Sequence, residues 1–184
     1  MNKKIFVHVC CGVCGAYVVE KLQPEFGELR LYYYNPNIYP REEYNERLEM
    51  ARQLSKIYGV TLEEGPYEPA VWDAAVQGYE TEPERGKRCL ICFRLRMEKT
   101  ASIAKEHKFS HFTTTLSMGR SKRSRDVIGI GREVAAARGV EFLAVDFKKQ
   151  GGIDRTLALA KQYNFYRQTY CGCKYSMGPA TVEK

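Results

Sequence analysis

The chain has 184 residues, 44% of them hydrophobic and 28% charged, with a formal charge of +7. One domain spanning residues 1–184 suits that length, and the apolar share suffices for a core without staples, which excludes a disulfide-framed miniprotein. No segment approaches the ~20 apolar residues of a membrane span and the apolar run after Lys3-Lys4 is too short for a signal peptide, so a cytoplasmic setting is expected, and the basic balance admits a polyanionic partner.

Ile5 to Val9, apolar and β-branched, predicts a buried first strand that ends at Cys10-Cys11-Gly12-Val13-Cys14. Ala16 to Leu22 reads as a helix, and Leu29 to Tyr34 as a second strand stopped by the turn cluster Asn35-Pro36-Asn37. Pro40 suits the first turn of a helix in which Tyr44, Leu48, Ala51, Leu54 and Tyr58 recur at helical spacing until Gly59. Val60 to Glu63 follows as a third strand and Pro69 to Val76 as a short helix, after which the polar residues 78–88 deliver Cys89. A helix from Cys92 to about His107, a threonine-rich strand from Phe109 to Leu116 and a basic loop come next. A helix from Ser124 to Arg138 ended by Gly139, a strand from Val140 to Val145 and a long helix from Ile153 to about Arg167 complete the pattern.

This alternation predicts an α/β fold, a single doubly wound and mostly parallel sheet of about five strands. Such sheets bind ligands beyond the C-terminal ends of their strands. The segments Cys10–Cys14, Asn35–Asn37, Leu116–Arg125 and Asp146–Gly152 all follow predicted strands, so they are expected to border one crevice.

Seven cysteines fall into three tight groups, a pattern that metal chelation or thiol redox chemistry requires and packing does not. Cys89-x-x-Cys92 at a helix start returns both thiolates to one side, where the helix N-terminus favours their charge; zinc sites, iron–sulfur sites and thioredoxin-like pairs all use it. Neighbouring Cys10 and Cys11 diverge in extended backbone, which suits the separated corners of a four-iron cluster better than one tetrahedral ion. Cys10, Cys11, Cys89 and Cys92 are therefore the candidate ligands of a 4Fe-4S cluster, with a structural zinc on the same residues or Cys14 as the alternative. Cys14 either supports the cluster, binds an adjacent metal or packs as a small buried thiol. Cys171-Gly172-Cys173 permits a strained, easily reduced disulfide able to relay two electrons; exposed thiols on a free tail are the alternative. Tyr163, Phe165, Tyr166 and Tyr170 just before it favour a packed approach.

Arg120, Lys122, Arg123 and Arg125 open a helix beside the expected crevice, with Lys148 and Lys149 near the same edge. They read as phosphate contacts to tRNA or a nucleotide, or as a solvated basic face. His8 reads as a satisfied core histidine. Asp146 is a candidate for acid–base or metal work, or for helix capping.

Taken together, His8-x-Cys10-Cys11-x-x-Cys14, Arg88-Cys89-x-x-Cys92-Phe93, Thr114-Thr115-Leu116-Ser117, Asp146-Phe147-Lys148-Lys149 and Tyr166-Arg167-Gln168-x-Tyr170-Cys171-Gly172-Cys173 resemble the cobalamin-independent epoxyqueuosine reductases, the QueH family. The resemblance spans nearly the whole chain; Val13 departs from the proline that members often carry before the residue matching Cys14. It implies the last step of queuosine synthesis, two-electron reduction of the epoxide of epoxyqueuosine at the tRNA wobble position to the cyclopentene, with loss of water. By resemblance the cluster falls on Cys10, Cys11, Cys89 and Cys92, a second iron lies beside it, and Cys171 and Cys173 are a redox-active disulfide. The anticodon stem-loop is the implied partner and an external donor supplies electrons. The implied fold is Rossmann-like, related to nucleotide alpha-hydrolase (HUP-type) domains. Where many of those carry a Ser-Gly-Gly pyrophosphate loop, this chain has Cys10 to Gly15, so no ATP chemistry and no cobalamin are expected. A different iron–sulfur or thiol oxidoreductase acting on a small molecule, and a zinc-stabilised RNA-binding module, are the alternative functions.

Overall fold

The computed structural model describes residues 3–177. Five parallel strands form one sheet in the order β3-β2-β1-β4-β5, with β1 at Lys4–His8, β2 at Glu28–Tyr33, β3 at Thr61–Glu64, β4 at His111–Thr114 and β5 at Glu141–Phe142. β1 is central because it is apolar on both faces: Ile5, Phe6 and Val7 are wholly buried. The chain builds outward from β1 to β3, then returns across the sheet to lay β4 on the other side of β1. That reversal makes the β1/β4 boundary the switch point at which a crevice opens.

Right-handed crossovers put the helices linking β1, β2 and β3 on one face and those leading to β4 and β5 on the other. Accordingly α1 (Gly12–Leu22) packs against both α2 (Arg41–Tyr58) and α6 (Gly152–Gln162), while α4 (Lys87–Glu106) packs against α3 (Pro69–Ala75) and α5 (Ser124–Arg138). The expected stripe of α2 is its core face, with Tyr44, Leu48, Ala51 and Leu54 buried, and Gly59 closes the helix in the left-handed region at φ 63°. Pro40 stands one position outside the helix, its carbonyl accepting the Tyr44 N–H at 3.2 Å. The fifth helix runs from Ser124 to Arg138 as the sequence predicts, ended by Gly139 at φ 67°.

Five elements end or begin away from the sequence expectation. α1 and α4 each begin about a turn early, at Gly12 and Lys87, so Cys14 and Cys89 are helical and Cys92 lies a turn inside its helix rather than at its start. β4 stops at Thr114, whose hydroxyl accepts the Leu116 N–H at 3.1 Å and turns the chain into a 3-10 turn at Thr115–Met118. β5 is short because it is the outer edge; beyond it the Leu143 N–H still reaches Phe112 O, and Thr113 Oγ1 donates to Leu143 O. α6 ends at Gln162, and Asn164 at φ 51° bends the chain away from the expected helix.

Gly12 explains the early start of α1. A Cβ there would lie 2.6 Å from the Met50 carbonyl oxygen, so the bare backbone is what lets α1 meet α2. Gly12→Ala is expected to destabilise the fold by ~1–3 kcal/mol, because the obstacle is backbone rather than a movable side chain; chemical denaturation measures it. Among the described residues no helix is long and apolar enough to cross a membrane.

Candidate metal and thiol centre

β1 ends in a polar knot. His8 is wholly buried and pairs through Nδ1 with Thr114 Oγ1 (2.8 Å) and through Nε2 with Tyr34 O (3.1 Å), tying the ends of β1, β4 and β2. Burial, helped by the Arg96 guanidinium, lowers its pKa to about 3, so His8 is a neutral core histidine, as expected.

Cys10 follows in a bend and Cys11 in extended backbone, capping α1 at φ −173°. The first turn of α1 then carries Cys14 back toward them: the sulfurs of Cys10, Cys11 and Cys14 all lie within 4.8 Å of one another, and all three residues are buried. Thr115 holds Cys10 twice, accepting its N–H (3.2 Å) and donating to its Sγ (3.4 Å), while Gln168 Nε2 donates to Cys11 Sγ at 3.1 Å. Hydrogen bonds from the Cys11 and Cys14 thiols, with Lys122 and Arg96 nearby, hold Cys10 well below the ordinary thiol range. Its hydrogen-bond partners move the other way, Cys11 up to about 11 and Cys14 well above its usual value. Negative charge thus concentrates on Cys10, at a helix N-terminus beside two cations. Convergent buried sulfurs of this kind form a soft donor set that fits iron–sulfur or zinc chemistry.

Cys89 and Cys92 occupy the first turns of α4 and share a narrow cleft with Cys171, Cys173, Trp72, Arg88 and Asn37. Burial pushes Cys89 up to about 11 and raises Cys92 as well. The Arg85 N–H donates to Cys89 Sγ at 3.3 Å. Arg88, also buried, binds the 78–88 loop by donating to the carbonyls of Tyr79, Glu80 and Glu82 at 3.1, 2.8 and 2.5 Å. All seven cysteines are free thiols.

The two groups meet at one opening. Cys10, Cys14 and Cys171 line a cavity of about 770 Å³, and Cys171 borders the narrow cleft as well. Arg96, 2% exposed, lines this cavity too; its NH1 stands 4.0 Å from Cys92 Sγ and its NH2 donates to Asn35 Oδ1, which in turn anchors Val9 O through Nδ2 (3.0 Å). The structure therefore brings Cys10 and Cys11 together with Cys14, and Cys89 and Cys92 together with Cys171 and Cys173. Residues 163–177 return to the sheet edge, so the last pair is packed rather than on a free tail; Cys173 is 6% exposed.

Of the basic candidates, Arg120, Lys122 and Lys148 line the cavity, joined by Arg167. Burial opposes the charge of Lys122, but the thiols of Cys171 and Cys10 outweigh it and raise its pKa. Arg123 and Arg125 pair with Asp126 (2.8 and 3.4 Å), and Lys149 is exposed beside Lys148. Asp146 does not line the cavity; its Oδ1 accepts Ser124 Oγ (2.8 Å) and the Lys148 N–H (3.2 Å), bracing the basic loop against β5.

Asn37, in a segment expected at the crevice, lines it, whereas sequence reasoning passed over Arg96, Arg47 and Trp72, all buried at this opening. Two left a signal. Arg96 is one helical turn beyond Cys92, and Arg47 one turn beyond Glu43, spacings that place each pair on one helix face.

Known proteins match the chain over nearly its whole length. The family model described as epoxyqueuosine reductase QueH matches residues 5–178. A protein named Epoxyqueuosine reductase QueH from Haemophilus influenzae is 36% identical over 177 residues, covering 96% of this chain and 72% of the relative. Its namesake from Streptococcus pyogenes serotype M1 is 36% identical over 182 residues, covering 96% and 71%. Among solved structures, the U34-tRNA thiolase NcsA from Methanococcus maripaludis with its [4Fe-4S] cluster superposes with a TM-score of 0.58 at 14% identity, over 96% of this chain and 62% of that one. A predicted subunit of a tRNA methyltransferase from Methanocaldococcus jannaschii gives 0.56 at 15% identity, over 86% and 74%. Both likenesses concern the fold, and they support the expected doubly wound sheet. On the family match and the relatives' identity, the chain belongs to the epoxyqueuosine reductase QueH family and is an oxidoreductase.

Proposed function

We propose that this single-domain protein acts in the cytoplasm on tRNA, reducing the epoxide of epoxyqueuosine at the wobble position to the alkene of queuosine. The observation that carries this reading is the meeting of the first and last thiol groups with a basic wall at one cavity of about 770 Å³, joined through Cys171 to the narrow cleft that holds Cys89 and Cys92. That volume lies within the ~300–1,000 Å³ usual for small-molecule sites, room for one modified base turned out of a single-stranded loop.

Cys10, Cys11, Cys89 and Cys92 would hold the 4Fe-4S cluster, and Cys14 would be the sulfur available to a second iron. When bound, these irons supply electrons and a Lewis acid for C–O cleavage. The chemistry balances as epoxide plus two electrons and two protons giving alkene plus water. Cys171 and Cys173 supply both quantities by closing to a disulfide, which releases two electrons and two protons; an external thiol reductant reopens it. Lys122, kept protonated by neighbouring thiols, donates hydrogen bonds at the cavity wall rather than acting as a base. Arg120, Lys122 and Lys148 at the opening, with Arg123, Arg125 and Lys149 around it, contact the phosphates of the anticodon stem-loop.

Anaerobic reconstitution tests the proposal: a 4Fe-4S cluster's iron and sulfide with one further iron per chain, and epoxide lost from a modified anticodon stem-loop RNA, supports it. Stoichiometric zinc without turnover would instead indicate an RNA-binding module, and reduction of small disulfides without iron a thiol oxidoreductase. Arg120→Ala is expected to raise KM for the RNA and reduce the slope of binding against salt by about 1, with little change in kcat, since Arg120 is an exposed cation at the rim. Binding titrations over a salt series read that slope.

A further inference from the structure

The last thiol pair reaches the opening on a segment with little secondary structure, and one stripe of α2 holds it there. Glu43, Arg47, Met50 and Gln53 recur along one side of that helix. Gln53 Nε2 donates to Tyr163 O (3.0 Å), the Tyr166 N–H approaches Met50 Sδ (3.3 Å), and Tyr166 OH donates to Glu43 Oε2 (3.0 Å). Arg47 is the centre of the stripe. Its side chain is 2% exposed; Nε donates to Glu43 Oε1 (2.6 Å), NH1 to Cys171 O (3.0 Å) and NH2 to Tyr170 O (3.2 Å), and the Tyr170 ring lies over the guanidinium at 5.3 Å.

Gly172 completes the fit. It takes φ 113°, a conformation side chains rarely adopt, and a Cβ there would fall 2.8 Å from Arg47 NH1. The Gly172 carbonyl accepts the Tyr39 N–H (2.8 Å), and Tyr170 OH donates to Tyr39 O (2.5 Å), so the backbone on each side of Cys171 is fixed. A buried ion pair kept only for stability would be replaceable by apolar packing. This one ends on the carbonyls of Tyr170 and of the thiol-bearing residue itself, and the planar guanidinium is the side chain able to reach both while pairing with Glu43.

Resting on the assignment of Cys171 and Cys173 as the electron-delivering pair, we infer that Arg47 is their positioning residue: it clamps the Tyr170–Cys171 backbone so that the Cys171 thiol stands where the narrow cleft joins the large cavity. Loss of the clamp leaves the metal ligands in place and lets the pair wander from them. Misplacement of a reacting group by about an ångström costs on the order of a hundredfold in rate.

The test uses the iron-loaded full chain with three variants. Arg47→Lys keeps a cation for Glu43 but loses the fork; Arg47→Met with Glu43→Gln removes both charges together, so no buried carboxylate is stranded; Cys171→Ser reports on the pair itself. For both Arg47 variants we expect iron per chain to be retained and alkylation of Cys171 by iodoacetamide, followed by mass spectrometry, to rise severalfold. The ratio of turnover driven by dithiothreitol to turnover driven by dithionite should fall at least about tenfold. General destabilisation would lower both turnovers in parallel and strip iron. Unchanged Cys171 alkylation and an unchanged ratio in the variant that retains iron would overturn the role of Arg47. Full dithiothreitol-driven turnover in Cys171→Ser would instead overturn the assignment of the thiol pair, whatever the Arg47 variants do.

Discussion

Cys10→Ser is expected to leave the protein with less than about a tenth of its iron and to abolish epoxide reduction. Cys10 is the thiol of its group that ionises most readily, because two neighbouring thiols donate to it and Lys122 and Arg96 favour its charge. It also lies closest to the strand end, fixed by Thr115 through both its N–H and its sulfur. A serine hydroxyl keeps the shape but replaces a soft anion by a neutral hard donor. The fold should tolerate that, with a stability change within about 1 kcal/mol, since no cavity is opened and Thr115 remains as a hydrogen-bond partner. Metal analysis beside a thermal melt separates the two effects. Iron content near that of the unaltered chain would remove Cys10 from the ligand set.

Arg96→Met is expected to cost ~2–3 kcal/mol of stability, the usual consequence of removing a charged hydrogen-bond donor from a buried acceptor. Asn35 Oδ1 loses its partner, and Asn35 is what anchors the Val9 carbonyl immediately before the first thiols. For a chain of this size that loss corresponds to a fall of roughly 4–12 °C in Tm. A second effect follows from charge. Arg96 favours the anionic forms of Cys10 and Cys92 from one position, so its loss should weaken metal retention by about 10–100-fold, the range seen when groups supporting metal ligands are removed. Arg96→Lys should recover part of the retention, because the charge returns, and less of the Tm, because the fork to Asn35 does not. Chelator-competition measurements alongside calorimetry resolve the pair of effects. A variant that melts early but holds metal as tightly as the unaltered chain would make Arg96 a structural residue only.

Much of this arrangement was legible in the sequence. α2 and the helix at 124–138 announce themselves by apolar spacing and a terminal glycine, and both end as expected. Parallel strands whose loops carry the unusual residues imply a shared edge before any coordinates are seen. The grouping of sulfurs was less accessible. Which thiol faces which depends on where α1 and α4 begin, and each starts a turn before apolar spacing alone indicates. Cys14 was left open between packing and ligation because only the helical turn at Gly12 reveals that its sulfur swings back to Cys10 and Cys11. The burial of Arg47, Arg88 and Arg96 was hidden for a different reason. Arginine is ordinarily exposed, and only tertiary structure shows three of them interred with backbone carbonyls, a carboxylate or an amide as partners.

The docking of residues 163–177 along α2 sets a schedule for biogenesis. Sulfurs from the first and middle groups can gather on the sheet as it forms, but the Tyr170–Cys173 strap closes over them only once residues 163–177 have folded back onto α2. Until then the mouth of the site lacks one wall. Whatever metal these sulfurs take therefore has its widest approach before residues 163–177 are docked along α2.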